Sequence, residues 1–421
     1  MTRYSGSRKA GVATLKTHPN LIATQADIAV LAEELSKHEI IAFDTEFIRE
    51  TTFYPIVEII QVATSDESWL VDAQIFKKGF RPGPTGGFDS GIQPLLDIFQ
   101  NKKILKVVHA AQGDEECLFS SFGILATPIV DTAVVASLCG MGDGIGLGKL
   151  LKQVLNVEIK KGHARTNWSV RPLPEQLLEY AHADVEHLVK LGTTLLADAD
   201  RLGRKQWALE LSAKWEERSL YDTDLASLAE KLARGGRLDK RGYAALVELV
   251  KWREGRVRQL NMPRRWVADD AVLVDLANVR PKDLAHLSAF RGLNKGELKN
   301  SGEAILEAIE RSNQIEGLTI SRMPRPEIPT AEESQVLDLL KCYVGILADQ
   351  HKIAAKHLMT TAQLLPLLRG QIDTPEDIVR AGILSEESAR LIGNELIALL
   401  KGKRAFTVYR GPTAQIRIVE I

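Results

Sequence analysis

The strong strand patterns of this 421-residue chain nearly vanish after Trp207, and this asymmetry limits the possible folds more than any other feature. Three short β-branched segments, "IIAFDTEF", "VEIIQVAT" and "SWLVDA", follow one another between about residues 38 and 72, which is typical of an antiparallel meander. Next, "ILKVVHA" predicts a buried strand, and helical patterns alternate with a further short strand. The first half therefore predicts a mixed α/β domain that ends with a long helix from about Pro174 to Arg204.

The second half carries helical patterns, in two stretches of similar size. Residues from about 225 to 313 and from about 330 to 404 have the apolar spacing of helices, and the Pro-rich "SRMPRPEIPTAEE" between them is typical of a linker. A chain of this length exceeds one ordinary core. We predict seven segments: a flexible tail (1–19), the α/β domain (20–205), a connecting helix or linker (206–234), a first all-α domain (235–313), the Pro-rich linker (314–329), a second all-α domain (330–408) and a C-terminal tail (409–421).

The composition excludes several classes of protein. Hydrophobic residues make up 45% and charged residues 26%, and no apolar run is long enough to span a bilayer. The first 20 residues lack the apolar core of a signal peptide, so we expect a cytoplasmic protein without a membrane partner. Three cysteines, Cys117, Cys139 and Cys342, are far apart and fit a reducing compartment. With a formal charge of −1, the chain could meet a polyanion only through local basic patches.

An acidic pair lies at the end of the first strand pattern. In "IIAFDTEFIRE", Asp44 and Glu46 are two residues apart, so both carboxylates point to the same face of a strand. Adjacent negative charges repel each other, which leaves two interpretations. Either the strand end is open to water and the pair is incidental, or a metal ion lies between the two side chains.

Further residues have the chemistry to join this pair. The strand "ILKVVHA" leads to His109 and then to Asp114 in the first turn of the next helix, where an acid also serves as an N-terminal cap. Tyr180 and Asp184 are four residues apart and share a helix face, which periodicity alone would assign to packing. As a set, four carboxylates suit two divalent cations and phosphodiester hydrolysis, and a tyrosine hydroxyl could orient the attacking water or take its proton.

Three segments resemble the exonuclease motifs of the ribonuclease D family, in order and at fitting separations. They are "FDTEFIRETTFYPIVEIIQVAT", "KVVHAAQGDEECLF" and "RPLPEQLLEYAHADVEHLVKL". The resemblance covers residues from about 20 to 205 and implies an RNase H-like (DnaQ-like) fold and a two-metal 3′ to 5′ exonuclease. It implies two divalent cations, Mg²⁺ or Mn²⁺, bound by Asp44, Glu46, Asp114 and Asp184. Tyr180 places the chain in the tyrosine subgroup, because Glu179 stands where the other subgroup has histidine.

The helical half resembles a pair of HRDC domains, a nucleic-acid-binding module. The match is best over "LVELVKWREGRVRQLNMPRRWVADDAVLVDLANVRP". It is weaker in the second domain, which lacks a G-W-R-like element near its end. Two departures concern the first half: the loop from Lys77 to Gly91 is longer than the usual connection in the family, and Asn167 stands where an acid is more common.

Predicted contacts to RNA rest on local composition. Phe47 could stack on the terminal base or pack in the core. A basic run with an aromatic leads into the Tyr180 helix, either as a path for a single strand or as a solvated face. The run comprises Lys149, Lys152, Lys160, Lys161, Arg165 and Arg171, with Trp168 among them. Our predicted substrate-binding residues are Phe47, His109, Lys161, Arg165 and Trp168.

A second basic cluster lies in the first helical domain. It consists of Lys251, Arg253, Arg256, Arg258, Arg264 and Arg265, accompanied by Trp252 and Trp266. This cluster could hold the body of a folded RNA. Alternatively, both tryptophans belong to the core and the charges face solvent.

Other cofactor sites are excluded by spacing. The glycine-rich "GMGDGIGLGK" has no G-x-G-x-x-G register, and Leu150 occupies the Ser/Thr position of a phosphate loop, so we expect no nucleotide cofactor and interpret the segment as a connection between helices. His182 and His187 are five residues apart and do not share a helix face, which argues against a zinc pair, and we expect both side chains to be solvated.

The leading hypothesis is a monomeric, metal-dependent 3′ to 5′ exoribonuclease that trims structured RNA. The resemblance implies tRNA precursors as substrates and nucleoside monophosphates as products. One alternative is a DNA exonuclease, because the same metal chemistry ignores the sugar. The other is a nucleic-acid-binding adaptor without activity, and the presence of all four acids and the tyrosine argues against it.

Overall fold

A six-stranded mixed sheet forms the centre of the N-terminal domain. The computed structural model describes residues 20–421 except 78–79, 85, 160–165, 235–237, 291–292, 294, 316–326 and 411–413. The strands are β1 (Leu21–Ile22), β2 (Ile40–Ile48), β3 (Ile56–Ala63), β4 (Ser68–Asp72), β5 (Leu105–Val108) and β6 (Ile129–Asp131). They lie in the order β1-β4-β3-β2-β5-β6.

The sheet combines the predicted meander with parallel strands. Strands β2, β3 and β4 pair antiparallel, as predicted, whereas β5 runs parallel to β2 and β6 runs parallel to β5. The β2–β5 ladder ends at the pair Ala42 and Val107, although β2 continues to Ile48. The last two thirds of β2 therefore have a side that β5 does not cover, and Asp44 and Glu46 lie in this segment.

Helices cover both faces of the sheet. In chain order they are α1 (Gln25–Leu35), α2 (Gln93–Gln100), α3 (Gln112–Phe122), α4 (Thr132–Leu138), α5 (Leu147–Leu155), α6 (Glu175–Val185), α7 (Leu188–Arg201) and α8 (Lys205–Ala213). The single long helix predicted near the end of this domain is wrong, since the chain turns between Val185 and Leu188. This turn lets α6 pack on β3 and β4 while α7 packs on β2 and β5.

The N-terminal domain continues beyond the predicted boundary at 205. Ser212 Oγ accepts a hydrogen bond from Asp131 N at 3.1 Å, and Glu216 accepts one from Ile129 N at 2.9 Å. Both residues lie in the segment assigned to a linker. Because they satisfy backbone groups of β6, we include α8 and the turns after it in the α/β domain.

The first helical domain consists of α9 (Leu225–Ala233), α10 (Lys240–Leu260), α11 (Arg264–Val267), α12 (Asp270–Val279), α13 (Leu284–Ser288) and α14 (Lys295–Ser312). It has a core of its own, in which Leu246, Leu249 and Ile305 are fully buried. Its long helix α10 ends at Asn261, which adopts the left-handed conformation with φ of 48°. The Asn261 side chain contacts the N-terminal domain, because its Oδ1 accepts hydrogen bonds from Phe53 N and Tyr54 N at 3.2 and 3.0 Å.

The second helical domain ends in strands, which the sequence analysis did not predict. Its helices are α15 (Ala331–His351), α16 (Ala355–Leu358), α17 (Thr361–Arg369), α18 (Pro375–Arg380) and α19 (Glu386–Leu400). They are followed by β7 (Arg404–Arg410) and β8 (Ala414–Glu420), which pair antiparallel. The segment predicted as a C-terminal tail therefore forms most of a hairpin. Phe406 in the first strand of this hairpin packs against Tyr343, with ring centroids 5.7 Å apart. Across the described ranges, no helix is long and apolar enough to cross a membrane.

This second domain shares an apolar core with the N-terminal domain. One continuous cluster of buried residues includes Leu195 and Trp207 together with Leu340 and Leu347. At the edge of the cluster, the guanidinium of Arg204 donates to the carbonyls of Leu138, His351 and Lys352 at 2.6, 2.7 and 3.2 Å. The two domains are thus joined by apolar packing and by hydrogen bonds to the end of α15.

Candidate active site

Four acidic side chains come together where β2 extends beyond β5. Asp44 and Glu46 point to the face of the sheet that α6 covers, because Ile59, the cross-strand partner of Glu46, packs in one cluster with residues of α6. Asp184 lies on α6 and is 8% exposed. Asp114 lies in the first turn of α3 and is 6% exposed. The predicted set is therefore assembled from one strand and two helices.

The uncovered side of β2 holds Asp114 in place. Thr45 stands between the two acids of the strand, and its backbone N and its Oγ1 both donate to Asp114 Oδ1, at 2.9 and 2.6 Å. Since β5 does not pair with this part of β2, the Thr45 amide is available for a side chain. Sequence reasoning missed Thr45, although its position between two predicted ligands was a usable signal.

Asp131 shapes the turn that presents α3. Its carboxylate is 2% exposed and accepts hydrogen bonds from the amides of Ala110 and Ala111 at 2.9 and 3.1 Å. It also caps α4 by accepting from Ala133 N at 2.9 Å. Ala110 has a φ of 60°, a left-handed conformation that costs a non-glycine residue free energy. We conclude that Asp131 stabilises the strained turn immediately before Asp114, a role that sequence reasoning did not identify.

Tyr180 and Asp184 share the inner face of α6, as their spacing predicted. The phenol hydroxyl forms a hydrogen bond with the Asp184 carboxylate. The Tyr180 ring lies 6.1 Å from the Trp168 ring, centroid to centroid. Trp168 is only 2% exposed and packs with Leu177, so the prediction that it contacts the substrate needs correction. Its indole instead packs against the ring of Tyr180.

The carboxylates perturb one another strongly. Burial, together with the neighbouring charges of Asp184 and Asp114, raises the pKa of Glu46 to about 8. Burial also raises the pKa of Asp184 to about 7 and that of Asp114 to about 6. The pKa of Asp44 is raised as well, by burial and then by the charges of Asp114, Asp184 and Glu46. Without added positive charge, these groups cannot all be ionised at neutral pH at low cost.

The donor chemistry of this cluster fits divalent cations. Hard oxygen ligands are those that Mg²⁺ and Mn²⁺ prefer, and positive charge would relieve the repulsion among the four acids. In the part of the chain that the structure describes, no three His, Cys, Asp or Glu side chains are already arranged as a metal site. The carboxyl groups of Asp44 and Asp114 lie close enough to each other to share a hydrogen bond.

Of the predicted substrate-binding residues, Phe47 lies beside the acids. The half-buried ring of Phe47 lies close to Gly113, next to Asp114, and packs against the core on the α3 side. His109 lies at the end of β5, where its Nδ1 is 2.9 Å from Thr132 Oγ1. Burial lowers the pKa of His109. Lys161 and Arg165 lie outside the described residues.

The basic run before α6 is partly neutralised. Arg171 donates two hydrogen bonds to the Asp72 carboxylate, both at 2.7 Å, and a third to the carbonyl of Trp168. Lys152 lies 2.8 Å from Glu158. Arg171 therefore anchors the Trp168 segment to β4 and does not offer a free charge to RNA.

The basic cluster of the first helical domain is also largely paired. Arg253 is fully buried between Glu254 and Asp270, and Arg256 lies 2.9 Å from Glu297. Arg264 pairs with Glu254 at 2.7 Å and lies over the Phe53 ring, 5.0 Å from its centroid. The expectation that this cluster forms an open surface for folded RNA is therefore wrong for Arg253, whereas Arg256 and Arg264 are paired with acids and partly exposed. They hold the domain together and attach it to the loop after β2.

Two further interpretations were tested by the geometry. His182, expected to be solvated, is partly buried and its Nδ1 is 2.8 Å from Ser68 Oγ. The glycine-rich segment connects α4 to α5, as predicted. In the loop from Lys77 to Gly91, Gly83 N donates to Ser120 O at 2.8 Å, so the described part of this loop packs on α3.

Comparisons with known proteins agree with this architecture. A 3′–5′ exonuclease family model matches residues 19–199, and an HRDC domain model matches residues 244–309. Ribonuclease D of Bartonella henselae is 31% identical over 394 residues, which cover 93% of this chain and 92% of the relative. Ribonuclease D of Nitrobacter hamburgensis is 31% identical over 398 residues, covering 94% of this chain and 99% of the relative.

Solved structures share this fold. Escherichia coli RNase D, described as an exoribonuclease involved in structured RNA processing, matches with a TM-score of 0.71 and 26% identity over 91% of this chain and 98% of its own. The catalytic core of RRP6 from Trypanosoma brucei shares the fold, with a TM-score of 0.51 and 17% identity over 72% of this chain and 81% of its own. Members of this exonuclease family depend on divalent metal ions. The chain belongs to the ribonuclease D family of 3′ to 5′ exoribonucleases.

Proposed function

We propose that the protein trims the 3′ ends of structured RNA, tRNA precursors among them, and releases nucleoside 5′-monophosphates. The observation that carries this proposal is the convergence of four carboxylates and one tyrosine on a single cleft beside β2. The E. coli relative, whose described role is in structured RNA processing, supports the choice of substrate class.

Two divalent cations, Mg²⁺ or Mn²⁺, would be held by Asp44, Glu46, Asp114 and Asp184. When bound, such a pair supplies activation of water and stabilisation of the leaving oxygen. The chain itself supplies the alignment. Thr45 fixes the orientation of Asp114 through two hydrogen bonds, and Asp131 fixes the turn before it.

Tyr180 positions the attacking water in this proposal. Burial and the nearby carboxylates raise its pKa above the ordinary value for a phenol, so the hydroxyl keeps its proton at neutral pH when the acids are ionised. Its O–H donates to Asp184. A phenol oxygen can also accept a hydrogen bond, which is the contact proposed for the water. This charge state favours orientation of water over removal of its proton.

The test is a product ladder. The full-length protein is incubated with a 3′-extended tRNA and with a single-stranded DNA of matched sequence, each with Mg²⁺ or Mn²⁺, and the products are resolved by length. We expect stepwise shortening of the RNA from the 3′ end. Equal or faster shortening of the DNA would favour the DNA exonuclease, and internal fragments from a circular RNA would indicate an endonuclease.

Blocking the 3′ terminus provides a second control. If the terminal 3′-hydroxyl is replaced by a phosphate, the added charge should interfere with binding of the terminal nucleotide and slow the first cleavage. A rate that does not depend on this group would contradict recognition of the 3′ end.

A further inference from the structure

One buried side chain near the cleft lacks the hydrogen bonds that its chemistry requires. Gln61, in the middle of β3, is 0% exposed. Neither its Oε1 nor its Nε2 has a hydrogen-bond partner in the described part of the protein. Buried amides without partners are costly and rare in folded proteins, so such a group calls for a ligand, a water or a functional reason.

Its place in the sheet puts this amide beside a predicted metal ligand. Gln61 is directly opposite Asp44 in the antiparallel β2–β3 ladder. Directly opposite residues project from the same face with Cβ atoms about 5 Å apart. On its other side, Gln61 is opposite Leu70 of β4, which packs in one cluster with Ala181 of α6. The side chain therefore lies in the layer between the sheet and α6, the helix that carries Tyr180.

The β2–β3 ladder makes Asp44 the acidic side chain directly opposite this amide. Carboxylates that bind metals are normally held by a further hydrogen bond from a neighbouring group. Gln61 is the unused donor across the strand pair from Asp44.

We propose that Gln61 is a positioning residue for Asp44: when cations are bound, its Nε2–H donates to the Asp44 carboxylate and fixes the orientation of that ligand. The other amide atom, Oε1, then accepts from an ordered water in the cleft. The inference rests on the proposed function, since it assigns Asp44 to the cations. It predicts that this amide contributes to metal affinity and not to the stability of the metal-free fold.

Replacement by methionine separates these two roles. Gln61→Met keeps the length and shape of the side chain and removes both polar atoms. Ile59→Met is the matched control, because Ile59 is equally buried in the same strand and on the same face. For each variant, Mn²⁺ binding is measured by titration calorimetry without RNA, and thermal unfolding is measured in a chelator.

For Gln61→Met we expect Mn²⁺ affinity to fall about 10- to 100-fold, the range found for groups that orient metal ligands. The unfolding temperature in the chelator should stay the same or rise, because two unpaired polar atoms are removed from the interior. Ile59→Met should leave Mn²⁺ affinity unchanged. A drop in unfolding temperature with unchanged Mn²⁺ affinity would overturn the proposal and assign Gln61 to packing.

Two additional variants keep the test decisive. If Gln61→Met does not fold, Gln61→Asn retains the amide but withdraws it by one methylene, and it should lower Mn²⁺ affinity in the same direction. Asp44→Asn tests the assignment of the ligand itself. If Asp44→Asn loses Mn²⁺ binding and Gln61→Met binds Mn²⁺ as tightly as the wild type, only the positioning role is refuted. If Asp44→Asn binds Mn²⁺ as tightly as the wild type, the proposed metal site is refuted.

Discussion

Replacing Glu46 with glutamine should stabilise the metal-free protein at alkaline pH while it abolishes activity. Burial and the charges of Asp184 and Asp114 raise the pKa of Glu46 from 4.5 to about 8. The folded protein therefore keeps a proton that the unfolded chain has already lost, and folding stability falls as the pH rises through this interval. Glutamine cannot ionise, so residue 46 no longer lowers the folding stability of the variant as the pH rises.

The size of the effect follows from the pKa difference. One pKa unit corresponds to about 1.4 kcal/mol, so a shift from 4.5 to about 8 sets a ceiling of roughly 5 kcal/mol above pH 8. Local relaxation and entry of water reduce this ceiling, and we expect a gain of about 1 to 3 kcal/mol at about pH 8.5. At about pH 5 the carboxyl is almost fully protonated in the folded state, and the gain should be small.

The assay is urea unfolding of both proteins in a chelator across this pH range. Glu33→Gln is the matched control, because Glu33 is an exposed glutamate on α1. Added Mg²⁺ should stabilise the wild type more than Glu46→Gln, since the cation neutralises the charge that the substitution removes. If the difference in unfolding free energy between wild type and Glu46→Gln does not change with pH, the electrostatic argument for the site is refuted.

Asp44→Asn and Asp184→Asn should each preserve the fold, as judged by circular dichroism, and remove nearly all turnover; substantial Mg²⁺-dependent activity in the folded double variant would contradict the metal assignment. Tyr180→Phe should lower the single-turnover rate roughly a hundredfold with little change in RNA binding, and an unchanged rate would leave the tyrosine with a packing role only. A fragment that ends at Leu220 contains all four acids but lacks the second helical domain, which shares an apolar core with the N-terminal domain. We therefore expect the fragment to have a lower unfolding temperature and to lose activity even on a short single strand. Full activity of that fragment would show that the shared core is dispensable.

The sequence was sufficient to predict features whose pattern involves residues close together in the chain. The meander, the strand before Asp114 and the helical spacing of Tyr180 and Asp184 depend on residues a few positions apart, and the structure contains each of them. The C-terminal hairpin also had a local signal, because "FTVY" and "IRIV" are β-branched runs on either side of Gly411 and Pro412. We missed it because the preceding helical pattern was extended into the hairpin and its remainder was assigned to a tail.

Other features could not be predicted, because they depend on contacts between distant segments. The charges of Arg253, Arg256 and Arg264 are visible in the sequence, but their acidic partners are identified only by tertiary packing. Trp168 follows the same rule, since a tryptophan among basic residues gives no sign of whether it faces solvent or the core. The unpaired amide of Gln61 requires knowledge of every neighbouring polar atom.

The shared core has a consequence for synthesis on the ribosome. The apolar surface around Leu195 and Trp207 is covered by Leu340 and Leu347, and the helices of the second domain are complete only when α19 ends at Leu400. About 200 residues separate Arg204 from that point, which at typical elongation rates corresponds to roughly 10 to 40 s. During this interval the nascent N-terminal domain carries exposed apolar side chains. We therefore expect ribosome-associated chaperones to bind this surface and to leave it when the last helix emerges.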